Sequence, residues 1–364
     1  NKKSPTKDIT KKPRTLYTAG AFNLDSKKLP KALTLRAGPG WTPNIVPPGQ
    51  EAQVTVVKPG LETLRKAINN AVSGSTLILE TGEYFSEKKI KITKDITIIG
   101  DIGGATILAA NKNIEKPIDY LFRVEENVTF KLSHVFIDGK NSNLKYAIVS
   151  PDKLQGARYN LFVDTVTFQN FKNKKGGSVF KAYNGTKADT LSFVNSRFEN
   201  NYRGLNLSYD NKNKGMFNAN FIVLKNSVFK NIEESAINYV RKIPNNMIYG
   251  GDLLVENCVF YNVDNREKGK IIKADGIHRV KIVNSVFDNS YKIKTPIVLK
   301  GMSQQISNCL INNSGYVKIS QGARKSDLLY KSPKWEDKTL FIPSNKSALL
   351  KEKNKKATIG LLQK

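Results

Sequence analysis

Apolar and polar residues alternate along most of this chain in short runs, as in Phe221-Ile-Val-Leu-Lys-Asn-Ser-Val-Phe229, the pattern of strands that bury one face. The runs carry a recurring signature: Asn, Ser or Thr, then Phe three residues later, then Asn or Asp two after that. It appears as Ser133–Phe136–Asp138, Thr165–Phe168–Asn170, Asn195–Phe198–Asn200 and Asn226–Phe229–Asn231. It continues as Asn257–Phe260–Asn262, Asn284–Phe287–Asn289 and, in weaker form, Asn308–Ile311–Asn313, with starts 24 to 32 residues apart. A unit of that length made of short strands cannot bury its own apolar face, so it must stack on its neighbours.

The predicted fold class is therefore all-β: a single-stranded right-handed parallel β-helix, its coils ~4.8 Å apart. The recurring Phe forms an internal stack, and the recurring Asn sits at the bends, bonding to the next Asn in a ladder. A leucine-rich horseshoe is the nearest rival, but its Leu-x-x-Leu-x-Leu signature is absent. A propeller blade needs ~40 or more residues. Ahead of the coils, Gly60 to Val72 has apolar residues at helical spacing and predicts an N-terminal capping helix over the open end of the stack. The organisation expected is a basic disordered tether (1–20), N-terminal strands and the capping helix (21–75), coils (76–322) and a C-terminal cap (323–364).

After each Phe strand a second strand follows: Val179–Tyr183, Gly204–Tyr209, Ala236–Arg241, Ile271–Asp275, Ile297–Lys300 and Val317–Ser320. With the apolar residues inward, Lys181, Asn206, Asn238, Lys273, Val298 and Lys318 fall in one outward column. Tyr183, Ser208, Val240, Asp275, Lys300 and Ser320 fall in the next, with Tyr209 and Arg241 at strand ends. A one-residue slip would invert both columns. A linear polyanion with a charge every ~5 Å matches cations repeated at the coil spacing, while amides bond hydroxyls and tyrosines offer ring faces to sugars. Lys181, Tyr183, Asn206, Asn238, Asp275, Lys300 and Lys318 are the expected substrate-binding residues. The plain alternative is that the outer face of any strand is polar.

Charge strengthens the polyanion reading. Lys and Arg number 59 against 31 Asp and Glu, a formal net charge of +28, which attracts nucleic acid, anionic lipid or acidic polysaccharide. Lysines that only confer solubility are the alternative. No apolar run approaches the ~18–20 residues of a membrane span, and no nucleic-acid motif is present. Cys258 and Cys309 are the only cysteines; they fall two coils apart, roughly 10 Å, so no disulfide is expected. With His134 and His278 the only histidines, no zinc cluster is expected either.

The Asn-Ser-x-Phe-x-Asn coils, and the helix followed by Gly82-Glu-Tyr84, resemble the pectin-lyase-like β-helix superfamily over residues 50–330. Around Glu234–Lys242 and Gly269–His278 the resemblance is to its chondroitinase B and alginate lyase group. In that group a Lys ending the first of these strands serves as base, and an Arg on the next strand assists it. The resemblance places Arg241 (or Lys242) at the base position and Lys273 at the Arg position; in a lyase, Tyr209 or His278 is the expected donor to the leaving oxygen. Of the group's metal-binding carboxylates only Glu234 is matched and Ala236 stands at the second, so no cofactor is expected; calcium stays open as an alternative, without the family-type ligands.

A lyase of this kind removes the proton beside a uronate carboxylate, which needs a base in reach and a cation on the carboxylate. Arg is a poor base, so Lys273 or Lys242 is expected to take the proton and Arg241 to hold the carboxylate. The expected function is recognition of an acidic, alginate- or glycosaminoglycan-like polysaccharide and its cleavage by β-elimination, by a monomer secreted or tethered to the outer cell surface. A non-catalytic glycan-binding protein on the same scaffold is the competitor. Polygalacturonase-type hydrolysis needs clustered aspartates, and Asp275 has no evident partner on its face; phage-tail or adhesin roles and nucleic-acid binding rank lower.

Overall fold

The computed structural model describes residues 51–101, 103–109, 118–140, 144–152, 156–207, 217–241, 250–263, 269–291, 294–319, 324–351 and 359–362. The expected tether, the stretch 21–50, Lys242 and Tyr209 lie outside the described residues. Strands pair in parallel from one coil to the next, from Val54–Val57 on Thr76–Leu79 through to Gln305–Leu310 on Arg324–Leu329. The paired strand residues thus have counterparts one coil on, and the fold is a parallel β-helix.

The bends are where the sequence signature acts. Asn195, Asn226, Asn257, Asn284 and Asn308 enter the Phe strand at φ of 48 to 54°, and Asn200, Asn231, Asn262, Asn289 and Asn313 leave it at 45 to 57°. Asn tolerates this left-handed region better than other side chains with a Cβ. Its amide then bonds along the stack: Asn226 donates to Asn195 at 2.8 Å, Asn231 to Asn200 at 3.0 Å, Asn262 to Asn231 at 2.7 Å and Asn308 to Asn284 at 2.8 Å. The Ser after the first Asn accepts a backbone N–H from the coil before, as Ser227 does from Ser196 at 3.1 Å. Inside, Phe198, Phe229, Phe260 and Phe287 stack with ring centroids 4.3, 5.0 and 4.9 Å apart. Cys258 and Cys309 are free and buried, each thiol pushed up to about 12 by burial.

One expectation is corrected. In the first repeat the inward residue is Ile137, which pairs with Phe168, while Phe136 is 43% exposed. The left-handed bend residue there is His134, not Ser133; the motif is one residue out of register, and a strand's period of two sends its Phe outward. At the other end, Arg324–Leu329 adds a further strand to the stack, but the residues after it lie along the flank. There Val228, Val259, Val286 and Leu310 face outward and are covered by Trp335, Phe341, Leu349 and Ile359. Gly360 donates to the Asn284 carbonyl at 2.8 Å and accepts from Asn257 at 2.9 Å, and Leu362 donates to Asn226 at 2.7 Å. An apolar outward column must be covered, and this segment covers it.

The helix forms over Thr63–Asn70 and buries Leu64 and Ile68 in the main core. Lys94 closes its last turn by donating to the carbonyls of Asn69 at 2.9 Å and Ala71 at 2.6 Å, as a cation at a helix C-terminus should. The stacked Phe and the misregistered one supply a contrast for mutagenesis. Phe229→Ala is expected to cost about 3–5 kcal/mol in chemical denaturation and Phe136→Ala under about 1 kcal/mol; equal losses would contradict the inward–outward assignment.

Candidate functional site

The face after each Phe strand carries one uninterrupted outward column. Register pairing joins Lys91 to Arg123, Arg123 to Val149 and Val149 to Lys181. It continues from Lys181 to Asn206, Asn238, Lys273, Val298 and Lys318. The part from Lys181 on is the column that apolar alternation predicts, because Phe180, Leu205, Ile237, Ile272, Ile297 and Val317 all point into the core. In the neighbouring outward column Val240 pairs with Asp275 and Asp275 with Lys300, and the Lys300 ammonium lies 3.8 Å from the Asp275 carboxylate.

The column's centre is deep and its far end open. Lys181 is 4% exposed and Asn206 5%, Asn238 and Lys273 are half-buried, and Lys318 is exposed. Burial, with the Arg203 guanidinium as second cause, lowers the Lys181 ammonium from an ordinary 10.5 to about 8; both effects disfavour the charged form. Arg203 is fixed by Glu234, which takes Nε and an Nη at 2.7 Å each in a bidentate pair. Both Glu234 oxygens are thereby engaged, and among the described residues no three His, Cys, Asp or Glu side chains group as metal ligands. The Asn238 carbonyl oxygen is buried with no hydrogen-bond partner among the described residues, so a hydroxyl or amine arriving at the column would satisfy it.

Other expected site residues are dispersed. Arg241 ends its strand at 7% exposure, donates its backbone N–H to the Asp275 carbonyl at 2.8 Å, and holds its guanidinium 5.1 Å from the Phe217 ring centroid. Lys187 approaches the same ring at 4.7 Å. His278 lies past the Gly276 bend, where Gly250 rather than Asn238 sets the register, and its Nδ1 is 3.2 Å from Asp252. It therefore does not join Lys273 in the column. Tyr183 follows Lys181 by two residues, and burial first, then Tyr146 and Asp152, raise its hydroxyl well above the ordinary range. Sequence reasoning missed Arg203 and Arg123. The first opens its strand, Arg203–Leu207, one residue ahead of the start at Gly204 expected from the sequence, and the second belongs to a coil whose strand, Tyr120–Val124, lacks the Asn-framed signature.

The fold is a parallel β-helix, and solved structures share it. Among solved structures the chain is similar to the PL6-family alginate lyase AlyGC, with a TM-score of 0.64 and 20% identity over 77% of this chain and 40% of the lyase. A mutant of the same enzyme gives 0.54 and 17%, over 78% and 38%. The chain thus spans less than half the length of the lyase it matches. No protein-family model and no curated protein matches it.

The buried lysine has a stability signature. Its folded pKa lies below the unfolded value, so the folded state bears the cost of an unfavourable ammonium below about pH 8, and that cost disappears as pH rises to 10.5. Lys181→Met is therefore expected to melt higher than the wild type at pH 7, with the gap closing between pH 8 and 10.5. A gap independent of pH would contradict the burial of the ammonium.

Proposed function

We propose that this protein recognises an acidic, uronate-containing polysaccharide, alginate- or glycosaminoglycan-like, laid along the column from Lys181 to Lys318, and cleaves it by β-elimination. The carrying observation is the column itself: cations and amides in register, interrupted only at Val298, repeating at a coil spacing of ~4.8 Å that suits one uronate per step. Column ammonium groups meet carboxylates, and the Asn206 and Asn238 amides meet hydroxyls. Such polymers lie outside cells, so the protein would act there, secreted or surface-tethered, as a monomer.

The base in this reading is Lys181. A lysine removes a proton only when neutral, and burial beside a fixed Arg203 makes that state accessible near neutral pH. It takes the proton from the carbon beside the carboxylate, the C–H electrons form the double bond, and the bond to the glycosidic oxygen breaks. The ammonium then returns the proton to the departing oxygen, so the step closes without a metal or second substrate. Lys273, not Arg241, is the cation best placed to hold a neighbouring carboxylate, because Arg241 is turned under Phe217.

That same displacement of Arg241, with His278 turned to Asp252, favours a second reading in which the column only holds the glycan. Incubation with alginate, hyaluronan, chondroitin, heparin and pectate, followed by ultraviolet absorbance of the unsaturated product, separates the two. Cleavage is expected to rise with pH towards about 8, and Lys181→Arg to lower kcat by about a hundred- to ten-thousand-fold with retention on a polyanion gel kept. Salt-sensitive retention without product would leave the holding reading, and no retention would remove both. Lys273→Ala and Lys318→Ala are expected to weaken retention and flatten its salt dependence.

A further inference from the structure

The face changes character along the stack. Lys273 and Lys318 form no ion pair among the described residues. On the coils just ahead of Lys181, Arg123 and its neighbours Lys89 and Lys145 are already paired with carboxylates of the protein. Arg123 lies 2.7 Å from Glu125 and 3.5 Å from Asp152, and Asp119 sits between Lys89 at 3.6 Å and Lys145 at 3.7 Å. Tyrosines gather in the same place. Tyr146 pairs in register with Tyr120, whose ring has Lys89 at 4.9 Å and Arg123 at 5.7 Å. Tyr183 lies near enough to feel Tyr146, Tyr120, Asp152 and Asp119, and burial with these neighbours keeps its hydroxyl protonated.

We propose that this tyrosine–carboxylate patch is a terminal subsite, which receives the end sugar of a uronate chain whose following residues lie on Lys181 to Lys318. The proposal rests on the polysaccharide reading above and names which part of the polymer is read. An end sugar carries free hydroxyls that donate to the exposed Asp119 and Asp152 carboxylates, and its ring packs on the half-buried Tyr146 and Tyr183. A chain continuing across the patch would find no unpaired cation among the described residues there for its further carboxylates, because Arg123, Lys89 and Lys145 are already held by Glu125, Asp152 and Asp119. Lys91 lies beyond that block, one coil past Arg123. The tract from Lys181 to Lys318 covers about 24 Å at ~4.8 Å per coil, room for roughly five uronate residues.

Recognition of ends and recognition of internal stretches differ in how affinity scales with length. Saturated oligouronates prepared from alginate, from two residues to about fifty, are titrated against the full chain at pH 6, where a Lys181 ammonium suppresses cleavage. Affinity per chain is expected to climb to about five residues and then stay level within about two-fold. A climb continuing in proportion to length, about ten-fold from five to fifty residues, would overturn the terminal subsite while leaving the polysaccharide reading intact. Absence of binding at every length would remove both. Tyr183→Leu and Tyr146→Leu, each checked for an unchanged melting temperature, are expected to weaken five-residue binding about ten-fold or more. Unchanged binding in both also overturns the proposal, and if one variant unfolds the other decides.

Discussion

The structure depends on the register of parallel backbone pairing between successive coils. Each coil offers its strands to the next, so a slip of one residue anywhere would turn a core residue to solvent and a lysine inward. The asparagines at the bends hold that register. They adopt the left-handed conformation at both edges of the Phe strand, and their amides bond from coil to coil. A position fixed at the bend fixes every residue after it until the chain next turns. The phenylalanine stack inside and the lysine column outside are therefore two consequences of one constraint.

The column shows how a repetitive scaffold acquires local chemistry. Lys181, Lys273 and Lys318 share a backbone position but not an environment. Lys318 is exposed, Lys273 half-buried, and Lys181 is enclosed beside a guanidinium that Glu234 holds in place. Glu234 anchors Arg203 with both its oxygens, and Arg203 in turn lies close enough to Lys181 to disfavour its charged form. Ahead of it, the ion pairs around Arg123 and Asp119 end the run of cations and leave a patch of tyrosines. A face that is uniform in backbone is graded in charge.

Much of the fold was legible in the sequence because its determinants are local. Asn at the bends, Phe three residues on, and the apolar alternation of the second strand each sit within a few residues of one another, so the column from Lys181 to Lys318 could be read before any coordinates. The first repeat misled because Ser133-His-Val-Phe136 fits the spacing one residue early, and nothing in the string distinguishes Phe136 from an inward Phe. What escaped was non-local: the pairing of Arg203 with Glu234 across coils, the turning of Arg241 beneath Phe217, and the return of the C-terminal residues along the Val228–Leu310 flank. Such contacts depend on how far a chain travels between coils, which loop lengths do not reveal.

The central claim is that a polyanion lies lengthwise on the face of the lysine column, and amide hydrogen exchange with and without saturating oligouronate at low salt tests it most directly. The account predicts slowed exchange in Ser178–Lys181, Arg203–Leu207 and Ser235–Val240 and in residues 272–275, with the flank strands Val228–Ile232 and Val259–Val263 unchanged. Protection concentrated on the flank, or spread evenly over all faces in proportion to their lysines, would contradict it.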